Sequence, residues 1–202
     1  MKAAAIILSG GKSSRMGINK ALLQINEITM IERMAMELKR FFEEIILVTN
    51  EPDDYRFLDL KMVSDLFPGR GPLAGIHAGL MASECEENFV VACDMPFVSG
   101  QLAVVLVNKC RQYDAVVPVI DGKQHPLFAV FKKRIAEAAA QRIENNQLRV
   151  KDLLDGLNVH YVTEKELITD RKMDLERIFF NMNHPIEYEE AKKWAEAHLE
   201  GK

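Results

Sequence analysis

Short, continuous apolar runs punctuate the chain at Ala3–Leu8, Ile45–Thr49, Phe89–Cys93 and Ala115–Ile120, each bounded by turn-forming residues. Runs that are apolar at successive positions, rather than at alternate ones, predict strands buried on both faces, as in a parallel sheet covered by helices on each side. The segments between them follow helical period. Met30, Met34, Leu38 and Phe41–Phe42 form one stripe, with Thr29 as N-cap and Glu32 as the second half of a capping box. Leu73, Ile76, Leu80 and Met81 form a second stripe after Pro72, and Leu102, Leu106 and Cys110 a third after Ser99. Farther on, residues 132–157 predict helices with a charged face. Asn158–Val162 and Ile178–Met182 predict two more strands, and Glu187–Leu199 a terminal helix with Pro185 near its start.

Strand alternating with helix predicts an open α/β sheet with right-handed crossovers. Such sheets bind ligands beyond the carboxyl ends of their strands. Four loops there, Ser9–Gly17, Asn50–Asp54, Asp65–Pro72 and Asp94–Pro96, are also the most polar and glycine-rich stretches of the chain. No linker, repeat or low-complexity tract interrupts the 202 residues. A single domain over 1–202 is therefore expected, its C-terminal third packed on the same core.

Composition narrows the classes. With 48% hydrophobic and 28% charged residues, disorder is excluded. A balance of 26 Lys+Arg against 30 Asp+Glu, net −4, argues against coating nucleic acid while leaving room for a local basic pocket. Cys85, Cys93 and Cys110 fit neither a disulfide scaffold nor a zinc pattern. Lys2 and the run to Leu8 look like the start of a signal peptide, but Ser9-Gly10-Gly11, Lys12 and Arg15 break it. No stretch approaches the roughly 18 apolar residues of a membrane span. The expectation is a cytoplasmic protein with neither nucleic acid nor membrane as partner.

The first loop, Leu8-Ser-Gly-Gly-Lys-Ser-Ser-Arg-Met-Gly17 followed by Ile18-Asn19-Lys20, mixes glycines, hydroxyls and cations directly after a buried strand. Glycines let backbone N–H groups approach phosphate oxygens, and Arg15 and Lys20 can neutralise an oligophosphate from the side. A P-loop is excluded by spacing, since five residues separate Gly11 from Gly17 and Ile18 follows. Gly69-Arg70-Gly71-Pro72-Leu73-Ala74 formally fits a dinucleotide fingerprint but does not immediately follow a strand. It reads instead as a rigid turn delivering a helix N-terminus. Asp94 stands at the end of a strand, where a carboxylate either holds a hard cation such as Mg²⁺ or caps the next turn. Asp65 faces the same rim. Cys93 reads as a small buried hydrophobe.

These residues together resemble a known signature. Leu8–Lys20 is similar to the glycine-rich first motif of the nucleotidyltransferases, and specifically of the molybdenum cofactor guanylyltransferases. Gly71-Pro-Leu-Ala-Gly75, Cys93-Asp-Met-Pro-Phe97, His125-Pro-Leu-Phe-Ala129 and Phe180-Asn-Met-Asn-His-Pro185 resemble its later elements, in order along the whole chain. The resemblance implies a Rossmann-like three-layer α/β/α sandwich, of the nucleotide-diphospho-sugar transferase type, with a mostly parallel central sheet. It further implies a nucleotide-binding half over 1–120 and an acceptor half over 121–202.

By the same resemblance, GMP passes from GTP to the terminal phosphate of molybdopterin or molybdenum-molybdopterin, releasing pyrophosphate, with Mg²⁺ as cofactor. Arg15, Lys20 and Asp94 would be catalytic. Leu8, Ser9, Gly10, Gly11, Lys20, Asn50, Asp65 and Asp94 would bind nucleotide, Asp94 would ligate the metal, and His125, Asn181 and Asn183 would face the acceptor. Proteins that deliver or accept the cofactor are implied partners, with the chain itself a monomer or weak homo-oligomer. Asn19 stands where many members carry Asp, which removes a negative charge near Lys20, and Arg70 is a cation without an assigned target. Two alternatives remain: the same chemistry with CTP or on a sugar or alcohol phosphate, and a non-catalytic nucleotide-binding partner protein.

Overall fold

The computed structural model describes residues 2–10, 19–167, 173–182 and 184–200. Its strands are β1 (Ala3–Leu8), β2 (Gln24–Ile25), β3 (Ile28–Thr29), β4 (Glu44–Val48), β5 (Lys61–Val63), β6 (Glu87–Ala92), β7 (Ala115–Ile120), β8 (Lys123–Gln124), β9 (Phe128–Lys132) and β10 (Val159–Thr163). Its helices are α1 (Met30–Lys39), α2 (Pro72–Ala82), α3 (Gly100–Lys109), α4 (Ile135–Glu144), α5 (Val150–Leu154), α6 (Glu164–Leu167), α7 (Leu175–Ile178) and α8 (Pro185–Glu200).

Why β1 is apolar at every position follows from its place. It lies inside the sheet order β10-β7-β9-β6-β1-β4-β5, parallel to both β4 and β6. Ala3, Ala5 and Ile7 face a core with Ile31, Met34 and Leu38 of α1 and Leu102 and Leu106 of α3. Ile6 and Leu8 face the opposite core, built with Leu73, Ile76 and Leu80 of α2 and Ala139 and Ile143 of α4. Alternate side chains thus enter two separate cores, so no position is left for a polar residue. The mixed α/β architecture with a mostly parallel sheet is as expected. β4 with β5 and β7 with β10 are also parallel, β9 runs antiparallel between β6 and β7, and β8 pairs only with β7.

Local signals set several boundaries. Thr29 and Glu32 form the expected capping box: Thr29 Oγ1 accepts from the Glu32 N–H at 3.3 Å, and Glu32 Oε2 accepts from the Thr29 N–H at 2.9 Å. Ser99 caps α3 through the Leu102 N–H. The first stripe outruns its helix, because α1 ends at Lys39. Phe42 beyond it stacks on Phe89 with centroids 6.1 Å apart.

One expected strand is corrected. Within Ile178–Met182, Ile178 closes the short helix α7, capped by the Asp174 side chain, and the following residues join no sheet. Phe179 and Met182 are buried by side-chain packing instead, Phe179 against Phe128 with centroids 4.8 Å apart. A short apolar run satisfies either environment, and here it packs side chains against β9 while pairing with no strand among the described residues. Conversely β9, wholly buried between β6 and β7, was not among the expected strands. A third, smaller cluster packs α8, through Ala191 and Ala195, onto Ile25, Met30 and Met182. Among the described residues no helix is long and apolar enough to cross a membrane.

Candidate active site

From β1 the chain moves to β4 and β5 on one side, then returns to β6 on the other. The carboxyl ends of β1 and β6 therefore flank the point where strand order reverses, which is where open α/β sheets bind ligands. The register carries on past the strands. The Cys93 N–H donates to the Leu8 carbonyl at 3.1 Å, and the Ser9 N–H to the Val48 carbonyl at 2.9 Å. Ser9, Cys93 and Asp94 are thus neighbours by construction.

On the β4 side, Asn50 and Asp65 hold each other. The Asp65 N–H donates to Asn50 Oδ1 at 3.0 Å, and Asn50 Nδ2 donates to Asp65 Oδ2 at 3.3 Å. Burial raises the Asp65 carboxyl above the usual carboxylate range, with the Asn50 hydrogen bond opposing. Its other oxygen, Oδ1, is buried without a hydrogen-bond partner among the described residues. Helix α2 presses directly on this corner. A Cβ on Gly75 would lie 3.2 Å from Leu8 Cδ2 and 3.7 Å from Asp65 Oδ1, so the glycine lets helix, strand end and carboxylate meet.

On the β6 side, Lys20 and Asp94 are joined through one residue of the C-terminal segment. Lys20 Nζ donates to the Met182 carbonyl at 2.9 Å, and the Met182 N–H donates to the Asp94 carbonyl at 2.9 Å. Asp94 Oδ1 is buried and has no hydrogen-bond partner among the described residues. Burial raises the Asp94 carboxyl, the positive charge of Lys20 opposes this, and Glu187 adds to it. Burial, with the Asp94 charge beside it, pushes the Cys93 thiol up to about 12, which leaves it an inert thiol rather than a nucleophile.

His125 and Asn181 meet through Phe179. The imidazole packs on the Phe179 ring with centroids 4.6 Å apart, and Asn181 Nδ2 donates to the Phe179 carbonyl at 3.3 Å. Burial lowers the His125 pKa, helped by Lys123 and opposed by Asp121, which favours the neutral ring. Arg70 finds its partner away from the rim, donating to Asn146 Oδ1 at 2.7 Å. Gly11, Arg15 and Asn183 lie outside the described residues.

Sequence reasoning missed Tyr55. It lies in a 3-10 helix, Pro52–Leu58, and its ring is buried. Its hydroxyl lies 2.6 Å from Ser9 Oγ and 2.8 Å from Asn19 Nδ2. An aromatic residue just past the second loop was the only local signal. A cleft of about 520 Å³ opens at the amino ends of β1 and β4, between Lys2, Lys39, Glu43 and Lys61, and shares no residue with this rim.

A mostly parallel, doubly covered sheet with its lysine, carboxylates and amides collected at the switch point defines the class, an α/β protein of the nucleotidyltransferase fold. Known proteins agree. Residues 5–161 match the family model described as the MobA-like NTP transferase domain. A protein of Pelotomaculum thermopropionicum named as a probable molybdenum cofactor guanylyltransferase is 38% identical over 196 residues, covering 97% of this chain and 95% of that one. The crystal structure of molybdopterin-guanine dinucleotide biosynthesis protein A from Archaeoglobus fulgidus superposes with a TM-score of 0.82 at 26% identity, over 96% of this chain and 99% of that one. A third structure, the 2-C-methyl-D-erythritol 4-phosphate cytidylyltransferase of Thermus thermophilus, gives a TM-score of 0.72 at 17% identity over 97% of this chain and 100% of that one, a likeness of fold alone. The chain belongs to the MobA-like NTP transferase family.

Proposed function

We propose that this nucleotidyltransferase moves GMP from GTP to the terminal phosphate of molybdopterin, or of its molybdenum complex. A phosphate oxygen of the acceptor attacks the α-phosphorus in line, the bond from that phosphorus to the bridging α–β oxygen breaks, and pyrophosphate leaves with the electron pair. Such transfers ask for positioning and charge stabilisation more than for covalent help. The observation that carries the proposal is the bridge at Met182, which ties Lys20 to the backbone carbonyl of Asp94 and so holds a lysine near a buried acidic residue at the mouth of the sheet. The names borne by relatives of similar length supply the substrates.

In this scheme Leu8, Ser9 and Gly10, with Gly11, line the nucleotide, and Asn50 and Asp65 complete its recognition. Lys20 contacts the phosphates, and Arg15 acts beside it on the departing pyrophosphate. His125, Asn181 and Asn183 face the pterin, where neutral imidazole and amides both donate and accept hydrogen bonds. Residues 1–120 would then serve the nucleotide and 121–202 the acceptor, within a cytoplasmic protein.

Asp94 is the residue that would hold Mg²⁺. Its unpartnered buried oxygen suits a hard cation, and the same condition at Asp65 Oδ1 offers a second. Among the described residues no three His, Cys, Asp or Glu side chains are grouped to cage a metal. Mg²⁺ needs no such cage where substrate phosphates and water complete its octahedron. Bound there, the ion would offset charge building on the phosphate oxygens.

The test is to incubate the protein with molybdopterin, Mg²⁺ and each of GTP, CTP, ATP and UTP, and to follow pyrophosphate. Release with GTP well above the other three is expected. Release dominated by CTP would give the base to the cytidylyl reading, and release with none would leave a nucleotide-binding partner protein.

A further inference from the structure

Ser9 and Asn19 stand at the two ends of the glycine-rich first motif, and one buried hydroxyl touches both. Asn19 caps the 3-10 turn Lys20–Leu22, its Oδ1 accepting from the Ala21 N–H at 3.2 Å. That contact fixes which way the amide points, so the group facing Tyr55 is Nδ2, which can only donate. Nδ2 donates to the Tyr55 oxygen at 2.8 Å. Tyr55 has a single proton of its own, and among the described residues its other hydrogen-bond partner is Ser9 Oγ, 2.6 Å away. With its oxygen accepting from Asn19, the phenol has its own proton to give to Ser9, and in that arrangement the serine hydroxyl, as an acceptor, keeps its proton for a third partner.

Beside Ser9 lies Cys93, whose sulfur is a weak acceptor, and the exposed Gly10 follows at the end of β1. An oxygen of a bound nucleotide is a far better acceptor than sulfur. We infer that Tyr55 is a positioning residue for nucleotide binding: with Asn19 it orients the Ser9 hydroxyl as a hydrogen-bond donor to the nucleotide and pins together the two ends of the first motif. The inference rests on the nucleotide reading of Ser9 given above. No step of the transfer passes through Tyr55, and its ring stays inside the core.

Tyr55→Phe keeps the buried ring and deletes only the hydroxyl. In the intact protein, calorimetric titration with GTP should show binding weakened about two- to thirteen-fold, the range that follows from losing one polar contact. KM for GTP should rise with it, while kcat at saturating GTP stays within about three-fold. Ser9→Ala should weaken binding similarly. The double variant should bind no worse than Ser9→Ala alone, because Tyr55 acts through the serine. A purely structural tyrosine would lower the melting midpoint without this KM-against-kcat split and without the coupling. Wild-type affinity in Y55F beside a weakened S9A overturns the inference alone, as does a double variant in which the two losses multiply. If wild-type protein takes up no ribonucleoside triphosphate, the functional reading falls and this inference with it.

Discussion

Asp94 is an electrostatic liability at the rim: a buried carboxylate with one oxygen unpartnered among the described residues and its pKa raised by desolvation. A folded pKa above the unfolded one means that the ionised group disfavours folding at neutral pH. Asp94→Asn should therefore leave the melting midpoint equal to or above wild type. The same change should cut pyrophosphate release by about two orders of magnitude or more, if the carboxylate serves as proposed. Retained turnover would remove Asp94 from the chemistry. Leu8, Ser9, Asn50, Asp65 and Asp94 were legible because each ends or follows an apolar strand, and strand ends in such sheets form the rim. Tyr55 was not. Its neighbours Asp54 and Arg56 are polar and exposed, and nothing local marks a phenol that reaches Ser9 and Asn19.

At the scale of elements, Thr29→Ala removes one side of the capping box of α1 and should cost about 1 kcal/mol in urea unfolding. Helix α2 offers a sharper test of close packing. A Cβ on Gly79 would fall 2.4 Å from Ile6 Cγ2, inside β1. Gly79→Ala should destabilise the protein by about 1–3 kcal/mol despite the better helix propensity of alanine, and Ile6→Ala in the same chain should recover part of the loss. The capping box and the helix stripes were readable because they depend on neighbours a turn away. Strand β9 and the turn after Ile178 were not, since both are settled by which distant segment lies alongside. Phe128–Lys132 enters the sheet between β6 and β7, whereas Phe179 finds a side-chain pocket against His125 and Phe128.

Over the whole molecule, Asp114 ties together three separate stretches. Its Oδ1 accepts from the Arg134 guanidinium at 2.7 Å, its Oδ2 from the Asn158 N–H at 2.9 Å, and its carbonyl from the Lys132 N–H at 2.9 Å. Burial alone would raise this carboxyl, but the Asn158 N–H and Arg134 outweigh it and hold it below the usual range. A depressed folded pKa gives stability that is present above the unfolded value, about 3.9, and is lost as the pH falls through the folded value. Asp114→Asn should lose about 1–3 kcal/mol at neutral pH. Its unfolding free energy should also decline less steeply than wild type on acidification below about pH 4.

The single peptide unit of Met182 reaches both Lys20 and the Asp94 carbonyl. A ribosome delivers the loops of Lys20 and Asp94 before Met182. The nascent polypeptide can lay down β1, β4, β5 and β6 while translation proceeds, yet the bond that couples lysine to aspartate forms only once this late tract has emerged. The coupling of the two loops is thereby timed to the emergence of residue 182, after the strands that carry them.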